Sequence, residues 1–177
     1  VRRSGEDLIH EIKGDCPVVG TVVRVEIDWN KRYELMRTHT ALHILCGVIW
    51  RDFGALVTGG NMTPLAARMD FELEHMSSEF AVRVEELINL EVQRERDIYV
   101  KNIPRKEALK IPDLVRMKIN KLPSALTEVR IVDISGLDLQ ADGGTHVANT
   151  KEVGKISVVG HQSKGRINKR LRISLDT

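Results

Sequence analysis

His39 and His43 stand four residues apart in Arg37-Thr38-His39-Thr40-Ala41-Leu42-His43, the spacing that puts two side chains on one face of a helix. Far downstream, Asp142-Gly143-Gly144-Thr145-His146 carries a carboxylate and a third imidazole on a glycine-rich loop whose backbone can turn sharply. Three imidazoles and a carboxylate are a sufficient donor set for tetrahedral zinc, an ion able to activate water or polarise a carbonyl. A plainer reading competes: two histidines buried and hydrogen-bonded beside a sheet, and a β-turn with an incidental histidine. Spacing alone does not join His43 to Asp142, so both readings stand open. No Glu follows His39, which sets aside the HExxH metalloproteases. Cys46 shares the histidine face but lies a turn beyond His43, too far along the axis to meet both histidines at one ion, and reads as a small core residue. His10, His75 and His161 fall in no ligand pattern.

The two histidines need a helix. Asp28 or Asn30 can cap its start and Gly54 its end, with Leu35, His39, Leu42, His43 and Cys46 recurring on one side. Ahead of it, Val19, Thr21, Val23, Val25 and Ile27 alternate with mostly polar residues, a strand period. Residues 9–12 would be its partner, with Lys13-Gly14-Asp15 as the turn. Behind the helix, Thr58-Gly59-Gly60-Asn61 reads as a turn and Ala66 to Phe71 as a strand. Ser77 or Ser78 caps a second long helix that buries Phe80, Val84, Leu87 and Ile88 and runs to about Arg96. Residues 98–103 are extended, and Pro104 and Pro112 bracket a short helix or turn. Strands follow around Val129 and Ile131 and around Ile156 and Val158. After a turn at Ser163-Lys164-Gly165-Arg166, the inner face of the last strand is Ile167, Leu171, Ile173 and Leu175. The expected class is α+β: a two-layer antiparallel sheet with long helices packed on one face.

The chain has 177 residues, enough for one medium domain or one domain with a small appendage. Hydrophobic residues make up 42% and charged residues 29%, as in soluble globular proteins, while aromatics at 4% leave the core to Val, Ile and Leu. The formal net charge of +2 exerts no bulk pull on a polyanion, so nucleic-acid binding would need a local patch. Lys164, Arg166, Lys169, Arg170 and Arg172 gather within nine residues. They suit phosphate contacts, or a charged edge strand that resists aggregation. Two cysteines, Cys16 and Cys46, with no CxxC pair, fit a reducing cytoplasmic setting, and no apolar run is long enough to cross a bilayer. A start on Val1 is expected of an internal piece of a longer protein.

Four stretches resemble the alanyl-tRNA editing domain, and within it the free-standing AlaX type. They are Ile27-Asp28-Trp29 leading to Met36-Arg37-Thr38-His39-Thr40-Ala41-Leu42-His43; Ala67-Arg68-Met69-Asp70-Phe71; Val132-Asp133-Ile134; and Gly143-Gly144-Thr145-His146-Val147-Ala148-Asn149-Thr150. The likeness runs over essentially the whole chain and is most specific in the last stretch. It implies an HxxxH pair and a CxxxH pair holding one zinc ion. His39, His43 and His146 match, and Asp142 stands where the family has cysteine. Carboxylate for thiolate keeps the negative charge but is a harder donor, so Asp142 either ligates or leaves the fourth place to water. The resemblance also implies that residues 1–30 are the C-terminal part of a small β-barrel domain, followed by an editing domain at 31–177.

The implied activity is hydrolysis of serine or glycine wrongly esterified to the 3′ end of tRNA(Ala), with tRNA as partner, no membrane or DNA, and the oligomeric state left open. Thr40 and Thr145, beside the first and last histidines, and Asn149 are the candidates for binding substrate or water, and residues 58–61 for lining the pocket. Lys164, Arg166, Lys169, Arg170 and Arg172 are the candidate tRNA contacts. Two rivals remain: a threonyl-tRNA-type editing domain, and a tRNA-binding module of the same fold without activity, which Asp142 keeps alive.

Overall fold

The computed structural model describes residues 2–5, 7–116 and 126–177. A hairpin of β1 (Arg2–Ser4) and β2 (Asp7–Ile9) comes first, then a stretch without regular structure. Asp28 starts α1 (Trp29–Phe53) by accepting a hydrogen bond from the Lys31 amide, and Gly54, in left-handed backbone, ends it by donating its amide to the Trp50 carbonyl. Every residue of α1 from Thr40 to Ile49 is buried, not a single stripe. A helix with no solvent side must be covered all round, and that requirement decides the architecture.

The cover is two antiparallel sheets and a second helix. β3 (Val57–Thr63) and β4 (Ala66–Phe71) follow α1. Next comes α2 (Ser78–Gln93), capped by the Ser77 hydroxyl, which accepts from the Phe80 amide. β5 (Ile98–Pro104), the short α3 (Arg105–Ala108), β6 (Glu128–Ile134) and β7 (Asp138–Ala141) make the middle of the chain. A 3-10 turn at Thr150–Val153 leads into β8 (Ile156–Ser163) and β9 (Lys169–Leu175). The strand orders are β3-β4-β9-β8 and β5-β6-β7. α1 touches β3 and β4 of the first sheet, β7 of the second, and also α2 and the 3-10 turn, while α2 packs on β8. The α+β class therefore holds, but the strands after α1 divide between two sheets, because one sheet could cover only one side of α1.

The main core joins Ile44, Leu45, Val48 and Ile49 of α1 to Phe71, Leu171 and Ile173 of the first sheet and to Val84 and Ile88 of α2. None of these side chains is more than 1% exposed, and each contributes about 1.5–3 kcal/mol through burial. A smaller cluster, Ala108, Leu114, Val129 and Ile131, belongs to the second sheet.

Several local expectations change. Residues 19–27 form no strand; Val19, Val22, Val25 and Ile27 are exposed, and none pairs with a strand among the described residues. The alternation is real, but a strand exists only where a neighbour completes its ladder. Residues 10–12 are likewise unpaired, since β2 ends at Ile9 and pairs with β1. Residues 58–61 are not a turn but the body of β3: Gly59 faces Asp70 and Gly60 faces Met69, with a register shift after Val57 absorbing Thr58. The turn lies later, at Leu65, whose φ of 59° is held by its amide donating to the Thr38 hydroxyl. Ile167 sits in the β8–β9 connection at 38% exposure, because β9 begins only at Lys169.

Candidate metal centre

Three elements meet at the histidines. α1 presents His39 and His43 on one side, β7 ends at Ala141, and the loop after it carries Asp142 and His146. The helix comes close to the β6–β7 connection because position 47 lacks a side chain. A Cβ on Gly47 would lie 2.9 Å from Cγ of Leu137 and 3.2 Å from Cβ of Asp138. The ring centres of His39 and His43 are 5.1 Å apart, those of His39 and His146 4.3 Å, and those of His43 and His146 4.7 Å.

All three Nε2 atoms surround one carboxylate. His146 Nε2 lies 3.3 Å from Oδ2 of Asp142, while His39 and His43 Nε2 lie 3.5 and 3.9 Å from its Oδ1. One ligand atom from each of the four residues falls within 4.8 Å of the others. A tetrahedral zinc site with bonds of about 2.0–2.3 Å has its ligands roughly 3.3–3.7 Å apart, so small side-chain rotations suffice. His39 Nδ1, the ring nitrogen that does not face Asp142, is buried with no hydrogen-bond partner and lies against the Gly144 backbone. The donor set therefore fits a first-row divalent metal.

The supports are as specific as the donors. His43 Nδ1 lies 2.8 Å from Oδ2 of Asp138, and His146 Nδ1 lies 3.2 Å from the Thr40 hydroxyl oxygen. That oxygen also accepts from the Val147 amide at 3.3 Å. With Nδ1 engaged on both rings, Nε2 is the atom each turns toward Asp142. Asp142 is itself held: Arg130 Nη1 donates to its carbonyl at 2.7 Å, its amide donates to the Arg130 carbonyl at 3.1 Å, and the Gly144 amide donates to its carboxylate.

Burial and charge pull these groups apart in proton affinity. Burial opposes protonation of His43, but hydrogen bonds with Asp138 and Asp142 outweigh it and raise its pKa to about 9. Burial pushes His146 down to about 4, with Asp142 opposing. Burial also disfavours an ionised Asp142, yet hydrogen bonds with His146, His39 and His43 hold its carboxyl well below the usual carboxylate range. Cys46 is pushed up to about 12, first by burial and then by the charge of Asp138. It is a neutral thiol accepting from the Gln140 side-chain amide at 3.3 Å, as its reading as a core residue expected.

Beside the donors lies a cavity of about 240 Å³, walled by Leu42, Val57, Met69 and Val115 with Gly60 and Gln140 at its polar edge. The remaining candidates divide. Thr145 is exposed beside His146. Thr40 is fully buried, its hydroxyl oxygen shared between His146 Nδ1 and the Val147 amide. Asn149 is spent on the 3-10 turn: its carbonyl oxygen accepts from the Lys151 amide, and its amide donates to the Glu95 carbonyl and to Asp97. Of residues 58–61, Gly60 lines the cavity.

The basic cluster is also uneven. Lys164, Arg166 and Arg172 are exposed. Lys169 is 5% exposed, because its strand parity turns it inward, and Nζ donates to the Gly165 and Arg166 carbonyls. Arg170 makes two hydrogen bonds, 2.6 and 2.7 Å, to Asp70 on the neighbouring strand. Sequence reading passed over Asp138, Gln140 and Arg116 behind His43, and Arg68, which pairs in register with Arg172. A signal for the first two existed. Asp138, Gln140 and Asp142 alternate at period two, a polar row on a strand whose other neighbours are apolar.

Residues 129–172 match the family model of the threonyl and alanyl tRNA synthetase second additional domain. The match runs from β6 into β9 and contains Asp142 and His146, so this class covers β6 and β7 of the second sheet and half of the donor set. Over 174 residues the chain is 42% identical to alanyl-tRNA editing protein AlaX-M of Saccharolobus solfataricus, covering 96% of this chain and 71% of that protein. It is 33% identical over 179 residues to AlaX-M of Methanosarcina barkeri, covering 99% and 74%. An alanine–tRNA ligase of Pyrobaculum neutrophilum is 33% identical over 165 residues, 89% of this chain and 18% of the ligase. The chain belongs to the AlaX-M family of alanyl-tRNA editing proteins.

Proposed function

We propose that this chain is a trans-acting hydrolase that removes serine or glycine wrongly esterified to tRNA(Ala), with one zinc ion held by His39, His43, His146 and Asp142. The observation that carries this reading is the convergence of three imidazoles and a carboxylate beside a small cavity, in a chain of the alanyl-tRNA editing family. The work is carried out in the cytoplasm, where tRNA is charged. When bound, zinc supplies Lewis acidity at the edge of the cavity.

The chain's own residues do the rest. Leu42, Val57, Met69 and Val115 exclude bulk water from the aminoacyl group, which strengthens every polar contact made there. Asp138 and Thr40 hold protons on, or hydrogen bonds to, the Nδ1 atoms of His43 and His146, so that neither ring rotates away. Thr145 offers its exposed hydroxyl to the hydroxyl of a misattached serine. For serine, a polar group that alanine would leave unpaired favours the misattached ester over the correct one. Lys164, Arg166 and Arg172, with Arg68 opposite Arg172 on β4, offer cations to acceptor-stem phosphates.

Residues 1–30 are assigned to a separate small β unit and 31–177 to the editing domain. The support is that the apolar residues Val19, Val22, Val25 and Ile27 are all exposed.

The test is deacylation of Ser-tRNA(Ala) and Gly-tRNA(Ala), with Ala-tRNA(Ala) and Ser-tRNA(Thr) as comparisons, before and after metal chelation. Cleavage of the two mischarged alanine tRNAs that stops on chelation and returns with zinc is expected. Preferential cleavage of Ser-tRNA(Thr) would assign the threonyl-type activity instead, and tRNA binding without cleavage would leave a module that has lost its chemistry.

A further inference from the structure

Asp138 lies outside the donor set, yet its side chain is fully buried and receives three donors. His43 Nδ1 lies 2.8 Å from Oδ2, the Gln140 side-chain amide donates to the same oxygen at 2.8 Å, and Arg116 Nη1 donates to Oδ1. Arg116 is 11% exposed at its side chain and stacks over the Trp50 ring at 5.6 Å, so it is held in place from the other side. We propose that Asp138 is a positioning residue that fixes His43 as the Nδ1–H tautomer, with Arg116 dictating which oxygen faces the imidazole. The inference rests on the metal-site reading above.

The argument is one of donor and acceptor counting. A carboxylate has acceptors at both oxygens, so it can serve Arg116 and His43 together. An Nδ1–H imidazole carries its lone pair on Nε2, the atom turned toward Asp142, which is the state a metal ligand needs. The same tautomer donates nothing toward the cation site. An asparagine at 138 has one acceptor edge and one donor edge. Arg116, a permanent cation with donors only, claims the amide oxygen over the neutral donors of His43 and Gln140, and the Gln140 amide must turn its own oxygen to the asparagine NH2. The NH2 group then faces Nδ1 of His43, which must accept, and the ring proton moves to Nε2. In that state the ring cannot ligate. Arg116 thus turns a near-isosteric change into a tautomer change, and a second substitution should undo it. With Arg116 replaced by an apolar side chain, the asparagine amide is free to rotate and present its oxygen to His43.

The experiment measures zinc affinity by chelator competition and the d–d spectrum of the cobalt-loaded protein. It compares wild type, Asp138→Asn, Arg116→Met and the double variant, with thermal unfolding of the metal-free proteins as the fold control. Asp138→Asn is expected to bind zinc more weakly on the order of 10- to 100-fold and to alter the cobalt spectrum. The double variant is expected to recover part of that loss despite carrying two changes in the buried network. A purely structural role for Asp138 predicts the reverse order, with the double variant the weakest, and that order would overturn the proposal. So would wild-type zinc affinity in Asp138→Asn. Failure of the wild-type protein itself to bind zinc or cobalt would remove the metal-site reading and this inference together, a result distinct from failure of the variants alone.

Discussion

A Cβ on Gly144 would lie 2.4 Å from Nδ1 of His39 and 2.2 Å from its Cε1. The loop backbone therefore presses on the face of the imidazole, and only the lack of a side chain lets the loop and α1 close on one point. Gly144→Ala should push His39 or the loop aside, costing about 1–3 kcal/mol of stability by overpacking. Zinc affinity should fall on the order of tenfold or more, since the donor most displaced is a ligand. Denaturant unfolding and chelator competition check both; wild-type values in both would mean that His39 yields without consequence.

Thr40 and Thr145 flank histidines that meet, but they occupy opposite situations. Thr40→Val keeps the shape and removes the oxygen shared by His146 Nδ1 and the Val147 amide. Two buried groups then lose their partner, at a cost of about 1–3 kcal/mol, with weaker zinc binding. Thr145→Val should leave the unfolding midpoint near wild type and lower the rate on Ser-tRNA(Ala) more than on Gly-tRNA(Ala), because glycine has no hydroxyl to read. Equal loss on both substrates would remove Thr145 from specificity.

Glu91 on α2 is 1% exposed and accepts from Arg51, Arg94 and Arg96. Burial pushes its carboxyl up, but hydrogen bonds from Arg51 and Arg96 outweigh burial and hold its pKa below the ordinary glutamate value. A carboxylate depressed in the folded state stabilises fully above its unfolded pKa, about 4.3, and loses that contribution as pH falls through the folded value. Glu91→Gln should cost on the order of 2 kcal/mol at neutral pH, with the gap to wild type closing below about pH 4. Urea titrations at several pH values measure it, and a gap independent of pH would mean that the charge of Glu91 is not what stabilises.

Among the cations of the last strand and the turn before it, exposure separates two roles. Lys164→Ala, Arg166→Ala and Arg172→Ala should each weaken tRNA binding and reduce its salt slope by about 1, with little change in unfolding. Lys169→Ala should lower stability instead, because it removes Nζ from the Gly165 and Arg166 carbonyls, and should leave the salt slope alone. Filter-binding titrations across salt concentrations distinguish them; an unchanged slope for all three exposed variants would place the tRNA elsewhere.

The sequence by itself determined whatever depends on neighbours along the chain. Asp28 and Gly54 bound α1, Ser77 caps α2, and residues 66–71 form the expected strand. Four-residue spacing put His39 and His43 on one face before any fold was known, because a helix repeats every 3.6 residues. Tertiary structure decided what depends on distant partners. Alternation in residues 19–27 made no strand, since a ladder needs a second chain segment that spacing cannot supply. Lys169 and Arg172 are both cations three positions apart, yet one turns into the protein and one out of it. Above all, the long stretch of chain between His43 and Asp142 carries no local signal of their meeting. That contact exists because α1 is buried on every side from Thr40 to Ile49, which draws a second sheet onto it and brings Asp138, Asp142 and His146 to its histidines.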